Sequence, residues 1–187
     1  IALDVNYGHL NLFNGSEIFN INLRAAYEFV KSGDNSSGGL DNNYYEFGIR
    51  HSLTFPKLHL PVVNSYMGNR YTTQTQYSLG YTIQKRSMFM RNFFNFNWRF
   101  RWSTFSQKTT HTFSLLDVNY VNMPWKSEKF EEYLNTQVDS LTKYSYNNIF
   151  TAGVNYGFVY SNINTLRARR HAYTLRFNVE TSGNLLN

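Results

Sequence analysis

The sequence predicts an all-β fold: an antiparallel transmembrane β-barrel wall of about eight strands, with one short helix in a long loop. Three observations predict it. Apolar and polar residues alternate in segment after segment, and period two is the period of a β-strand, whose successive side chains point to opposite faces. The composition is 18% aromatic, with 15 Tyr and 16 Phe, but only 16% charged. That is rich in strand formers and poor in the charges of a soluble surface. Finally, the chain contains no run of 18 apolar residues, so no helix in it is read as crossing a membrane.

The elements follow in order. Ala2–His9 carries Leu3, Val5 and Tyr7 on one side. In Ile18–Val30, Phe19, Ile21, Leu23, Ala25, Tyr27 and Phe29 oppose Asn20, Asn22, Arg24, Ala26 and Glu28. In Tyr45–Phe55, Tyr45, Phe47, Ile49, Leu53 and Phe55 oppose Glu46, Gly48, Arg50, Ser52 and Thr54, while His51 falls on the apolar parity. Gln74–Gln84 sets Thr75, Tyr77, Leu79, Tyr81 and Ile83 against polar residues and Gly80. Phe93–Trp102 reads FFNFNWRFRW, with Phe94, Phe96, Trp98, Phe100 and Trp102 alternating with Asn95, Asn97, Arg99 and Arg101. Thr110–Val121 begins on one parity with Phe113 and Leu115 and switches to Leu116, Val118 and Tyr120, which a β-bulge would produce. Ala152–Tyr160 and Tyr173–Glu180 complete the set, with Val154, Tyr156 and Phe158, then Leu175 and Phe177, on their apolar sides.

Between them, Asn11–Ser16 and Lys85–Ser87 read as short turns. Lys31–Asn42 reads as a Gly/Ser/Asn loop, and Pro56 and Pro61 end the third strand. Met123–Asn147 is the longest connection. Within it Ser127–Asp139 reads as a helix that packs its own loop: Ser127 is the N-cap, Glu128 and Glu131 suit the positive end, and Phe130, Tyr133, Leu134 and Val138 form one stripe.

Alternation alone leaves open which face is wet. A soluble barrel turns its apolar side inward and a membrane barrel turns it outward. Three features point to lipid. The polar parity holds amides and glycines with only scattered charge. Tyr44, Tyr45, Trp98, Trp102, Tyr120, Trp125, Tyr144 and Tyr146 are placed near strand ends as aromatic girdles. Five bulky aromatics in one row, Phe94 to Trp102, would overfill a small core. The lipid-facing assignment is therefore Phe19, Ile21, Leu23, Phe47, Ile49, Tyr77, Leu79, Phe94, Phe96, Trp98, Phe100, Trp102, Val154, Tyr156, Phe158, Leu175 and Phe177. The lumen-facing assignment is Arg24, Glu28, Glu46, Arg50, Arg99, Arg101, Arg176 and Glu180.

Other chemistry finds no support. Net charge is +6, but only Arg167–Arg170 clusters, so no nucleic-acid partner is expected. Without cysteine there is no disulfide, thiolate zinc site or thiol nucleophile in this chain. His9, His51, His59, His111 and His171 lack metal-ligand spacing, Glu131 and Glu132 are adjacent and do not converge, and Gly38-Gly39 precedes no helix. We expect no enzyme activity, no cofactor and no metal. Residues 1–187 read as one incomplete barrel domain. The chain opens on Ile1 without a signal peptide, which an exported protein needs, so it is expected to be part of a longer one.

Four stretches carry a resemblance: GHLNLFNGSE (Gly8–Glu17), SLTFPKLHLP (Ser52–Pro61), DVNYVNMPW (Asp117–Trp125) and LRFNVETSGNLL (Leu175–Leu186). In order and spacing they resemble the bacterial surface antigen family, the BamA/TamA-type assembly barrels, and most of all its TamL-like branch. The resemblance implies a sixteen-stranded barrel in the outer membrane of a Gram-negative bacterium. It implies a role in folding and inserting other outer-membrane proteins. It also implies, as partners, outer-membrane lipid, other subunits of an assembly complex and client barrel proteins. On that plan the segments here are the second to ninth strands. The family's gate strand, POTRA domains and closing strands have no counterpart in them. A passive porin-like or structural barrel and a soluble lipocalin-like binding module are the alternative readings.

Overall fold

The computed structural model describes residues 1–29, 43–59, 71–104, 108–136, 143, 145–162 and 172–184. The described strands are β1 (Ala2–Leu10), β2 (Ile18–Glu28), β3 (Tyr44–Phe55), β4 (Tyr71–Lys85), β5 (Phe89–Thr104), β6 (Thr109–Lys126), β7 (Ile149–Ser161) and β8 (Thr174–Asn184), with one helix, α1 (Glu128–Thr136). Each strand pairs antiparallel with the next in a single sheet of order β1 to β8. The sheet is open, and β1 and β8 are its two edges. The all-β class, the eight antiparallel strands and the short helix agree with the alternation. The Lys31–Asn42 loop, Pro61, Val138, Asp139, Tyr144, Arg167–Arg170 and His171 lie outside the described residues.

The parity switch at Leu115-Leu116 is a bulge. Trp98 pairs with Leu116 and Arg99 with Ser114, so Leu115 is the extra residue against β5. On the other side the same two leucines interrupt the register between Ser114 and Asp117. A second shift, between Met90–Trp125 and Asn92–Asn122, sets Met123 and Pro124 against Arg91. This explains one departure from expectation. Thr110–Val121 was expected to end before Pro124, but β6 runs on to Lys126, because a bulge accepts a residue that has no N–H to give the ladder. The long connection accordingly starts at Ser127.

The β1–β2 turn is tightly built. Asn11, Asn14 and Ser16 have φ of 67°, 63° and 64°, the left-handed region that Asn tolerates best among non-glycine residues. The Asn11 amide donates to the Glu17 carbonyl (2.6 Å), and the Ser16 amide donates to Asn11 Oδ1 (2.8 Å). The Glu17 carboxylate turns back and accepts from the amides of Phe13 (3.1 Å) and Gly15 (3.0 Å). A Cβ at Gly15 would collide with that carboxylate. Burial by itself would push the Glu17 carboxyl up. The amides of Glu17, Gly15 and Phe13, with the Lys57 ammonium, favour the anion and hold its pKa below the usual value.

Among the described residues no second layer of strands packs on the sheet. Among the described residues the buried apolar side chains are Leu58, Phe100, Met123, Phe130 and Leu134. They form small patches, Leu58 and Phe100 where residues 57–59 fold back beside β4, and the other three at the α1 end of the sheet. Large apolar side chains of the central strands, such as Phe94, Phe96 and Trp98, are half-buried, and many on the outer strands are exposed, among them Phe47 (53%), Leu175 (60%) and Phe177 (56%).

Candidate functional site

Pairing register carries the two parities across the whole sheet, because directly opposed residues of antiparallel strands point to the same face. One row runs Val5–Leu23–Ile49–Tyr81–Phe94–Tyr120–Phe150 over seven strands without a polar residue other than the tyrosine hydroxyls. The neighbouring row on the opposite face runs Asn6–Asn22–Arg50–Gly80–Asn95–Asn119–Thr151. All of the residues assigned to lipid share the first face. All of those assigned to the lumen, Arg24, Glu28, Glu46, Arg50, Arg99, Arg101, Arg176 and Glu180, share the second.

The apolar band runs diagonally across these rows. On β1 it is Leu3, Val5 and Tyr7, and on β8 it is Leu175, Phe177 and Val179. The row of Val5 reaches β7 at Phe150, whereas Phe177 pairs with Phe158. The band has therefore slipped eight residues (158 − 150) over the seven strand-to-strand steps from β1 to β8. With about 3.4 Å per residue and about 4.8 Å between strands, that slip is a slope of roughly 39°. Residues of one row change character accordingly. Phe177, Phe158, His111, Trp102 and Thr73 are in register, and the row passes from phenylalanine on β8 to threonine on β4. On β5 the band spans Phe94 to Trp102, about 27 Å along the strand and about 21 Å perpendicular to the band at that slope.

The polar face is a cross-strand hydrogen-bond lattice. Asn22 donates to Asn6 (2.7 Å), Asn95 to Asn119 (2.6 Å) and Asn97 to Asp117 (3.0 Å), and Asn119 in turn donates to Asp117 (3.2 Å). Arg24 pairs with Glu46 (3.0 Å) and reaches Asp4 (3.8 Å). Glu46 also accepts from Gln84 (3.1 Å) and from the Tyr44 hydroxyl. Arg99 Nε donates to Ser114 Oγ (3.3 Å).

Some placements differ from the sequence reading. Phe100 lies on the apolar face but is 0% exposed, so it offers no surface to a surrounding medium. Its register neighbour Thr75 accepts from the His59 amide (3.0 Å) and donates to the Lys57 carbonyl (2.8 Å), which brings the chain at Leu58 against that face. Trp98 is not near a strand end but well inside β5, which runs from Phe89 to Thr104. It stacks on Tyr77 with ring centres 5.6 Å apart. Tyr44 is on the polar face, opposite Glu28, and Tyr146 packs on Phe89 and Phe130 instead of forming an outward girdle. The helix was expected to pack only its own loop, yet it also meets β5, Phe130 lying 5.3 Å from Phe89. That contact was missed because Phe89, Arg91 and Phe93 repeat the alternation on the polar parity. His51 stays on the apolar face between Ile21 and Leu79, 6.5 Å from the Phe19 ring. His111 does so too, stacked on Trp102 (5.1 Å) with its Nδ1 2.8 Å from the Tyr156 hydroxyl. Among the described residues no three His, Asp or Glu side chains converge as metal ligands.

No protein-family model, no curated protein and no solved structure matches this chain.

Proposed function

We propose that these strands are part of the wall of an outer-membrane β-barrel of a Gram-negative bacterium, with the apolar face toward acyl chains and the polar face toward an aqueous lumen. The diagonal band carries this reading. A bilayer is a flat slab, and strands that cross it at a tilt must shift their apolar residues steadily along the register. A slope of roughly 39° lies within the 35–45° tilt of membrane barrels, and the band on β5 is close to their apolar height of about 25 Å. A lipocalin-like module would need this face enclosed as a dry interior, whereas here Phe47, Ile49, Val154, Leu175 and Phe177 on it are exposed. In hydrocarbon the free backbone groups of β1 and β8 need further strands to pair with.

Within that class we propose the assembly type. The support is the resemblance of Gly8–Glu17, Ser52–Pro61, Asp117–Trp125 and Leu175–Leu186 to the BamA/TamA-type barrels. In that mechanism a weakly closed barrel edge offers backbone groups to an incoming client strand by β-augmentation. These eight strands would be the wall beside that edge, bent by the Leu115 bulge. The hydrogen-bonded polar face equally suits a passive porin-like barrel.

Depleting the full-length protein separates the two. An assembly role predicts loss of folded, heat-modifiable outer-membrane proteins before growth stops. A passive pore predicts normal levels of those proteins with reduced solute uptake, and that result would overturn the assembly reading.

A further inference from the structure

We propose that α1 is a lid over the polar face at the end of the sheet that carries the β4–β5 turn, and that Arg91 is its latch. The inference rests on reading the polar face as the lumen side. The lid enters where the Ser127 amide donates to the Met88 carbonyl (2.8 Å). Phe89 and Phe93 stand on the polar face: Arg91 between them pairs in register with Gln84, and Phe93 pairs with Thr82. Phe130 of α1 sits 5.3 Å from Phe89 and 5.2 Å from Tyr146. The Arg91 guanidinium lies 5.5 Å from the Phe89 ring, 5.7 Å from Phe93 and 5.4 Å from Tyr146. Two of these rings belong to β5 and the third to the β6–β7 connection, so one cation ties the connection to the strand.

The helix depends on this docking. It has nine residues, too few to hold a helix alone in water. Its buried residues, Phe130 (6% exposed) and Leu134 (5%), are the apolar contacts that keep it folded. Weakening the latch therefore both uncovers the polar face and melts the helix. The contact set is small enough to open reversibly, unlike the continuous ladders beneath it.

The test uses the full-length protein in its membrane. These 187 residues hold no cysteine, so with any cysteine elsewhere in the full-length protein replaced by serine, Asn95→Cys, on the polar face beyond the cluster, is a clean probe for a bulky impermeant maleimide applied from the lid side. Arg91→Ala is expected to raise the labelling rate about tenfold, the scale of one partly desolvated cation–π contact. Amide exchange across residues 128–136 is expected to rise with it. Tyr146→Ala removes a ring of the latch that lies outside the strands and should act in the same direction, while Lys129→Ala, on the exposed side of α1, should leave the rate unchanged. Labelling and exchange that stay at the parent values in folded Arg91→Ala and Tyr146→Ala would overturn the lid. Labelling of Phe96→Cys in place of Asn95→Cys would overturn the assignment of the faces, a different failure that the same reagents distinguish.

Discussion

A charge placed on one parity or the other of β5 separates the two faces energetically. Phe96 is the suitable apolar position. It lies between Leu79 and Val118 in register, and none of the close ring pairs that hold Trp98 and Phe100 involves it. The band on β5 runs from Phe94 to Trp102, so its centre is Trp98, two residues away. At about 3.4 Å per residue and a tilt of roughly 39°, Phe96 is about 5 Å from the midplane. An arginine at the midplane of a barrel costs about 2–4 kcal/mol, falling to about 0–1 near the interfaces, so Phe96→Arg should cost about 2–3 kcal/mol. Asn97→Arg, one residue on, gives up the amide hydrogen bond to the Asp117 carboxylate but sets a guanidinium beside the same acceptor, one charge-assisted contact for another, and the net change should stay below about 1 kcal/mol. The assay is reversible denaturant unfolding of the full-length protein from vesicles, followed by tryptophan fluorescence. Equal costs at the two positions, or a larger cost at Asn97, would refute the assignment of faces.

Two further outcomes are expected. Thr73 and Phe177 belong to one register row, but the diagonal band leaves Thr73 outside and Phe177 inside. Phe177→Arg should therefore destabilise the vesicle-embedded protein by about 2 kcal/mol more than Thr73→Arg, while a band parallel to the rows predicts equal penalties. The depressed Glu17 pKa means that its anion stabilises the folded turn at pH above the unfolded value of about 4.5, and that this contribution fades as pH falls through the lower folded pKa. Glu17→Gln should speed amide exchange at Phe13 and Gly15 at neutral pH and remove its acid dependence. Unchanged protection at both amides would show that the carboxylate does not hold the turn.

How much of this was legible in the sequence follows from what each feature depends on. Face membership needs only the period of two, so Phe94 to Trp102 and Asn95 to Arg101 sort correctly from ten residues. The Leu115 bulge was legible for the same reason, since an extra residue reverses parity wherever it falls. The diagonal was not, because it exists only between strands: nothing local to Thr73 or Phe177 places them in one row. Pairing register is set by bulges and turns acting together across the sheet. Burial of Phe100 was equally hidden, as it depends on residues 57–59 folding back onto Thr75. The docking of α1 was half legible. Of its expected stripe, Phe130 and Leu134 are buried, Tyr133 is half exposed to solvent instead, and Val138 lies outside the described residues. Its partner Phe89 lay in a stretch taken to precede the strand, where Phe89, Arg91 and Phe93 put aromatics on the face that is otherwise amide-rich.

The orientation of the sheet can be measured directly with nitroxide labels, one at a time, at residues 94–101 of the full-length protein in vesicles. Relaxation by oxygen reports exposure to acyl chains, and relaxation by a water-soluble nickel chelate reports exposure to water. The account predicts a period of two, with residues 94, 96 and 98 favouring oxygen, residues 95, 97 and 99 favouring nickel, and residue 100 reached weakly by either. Nickel relaxation strongest at residues 94, 96 and 98 would place water against the aromatic face and contradict the account.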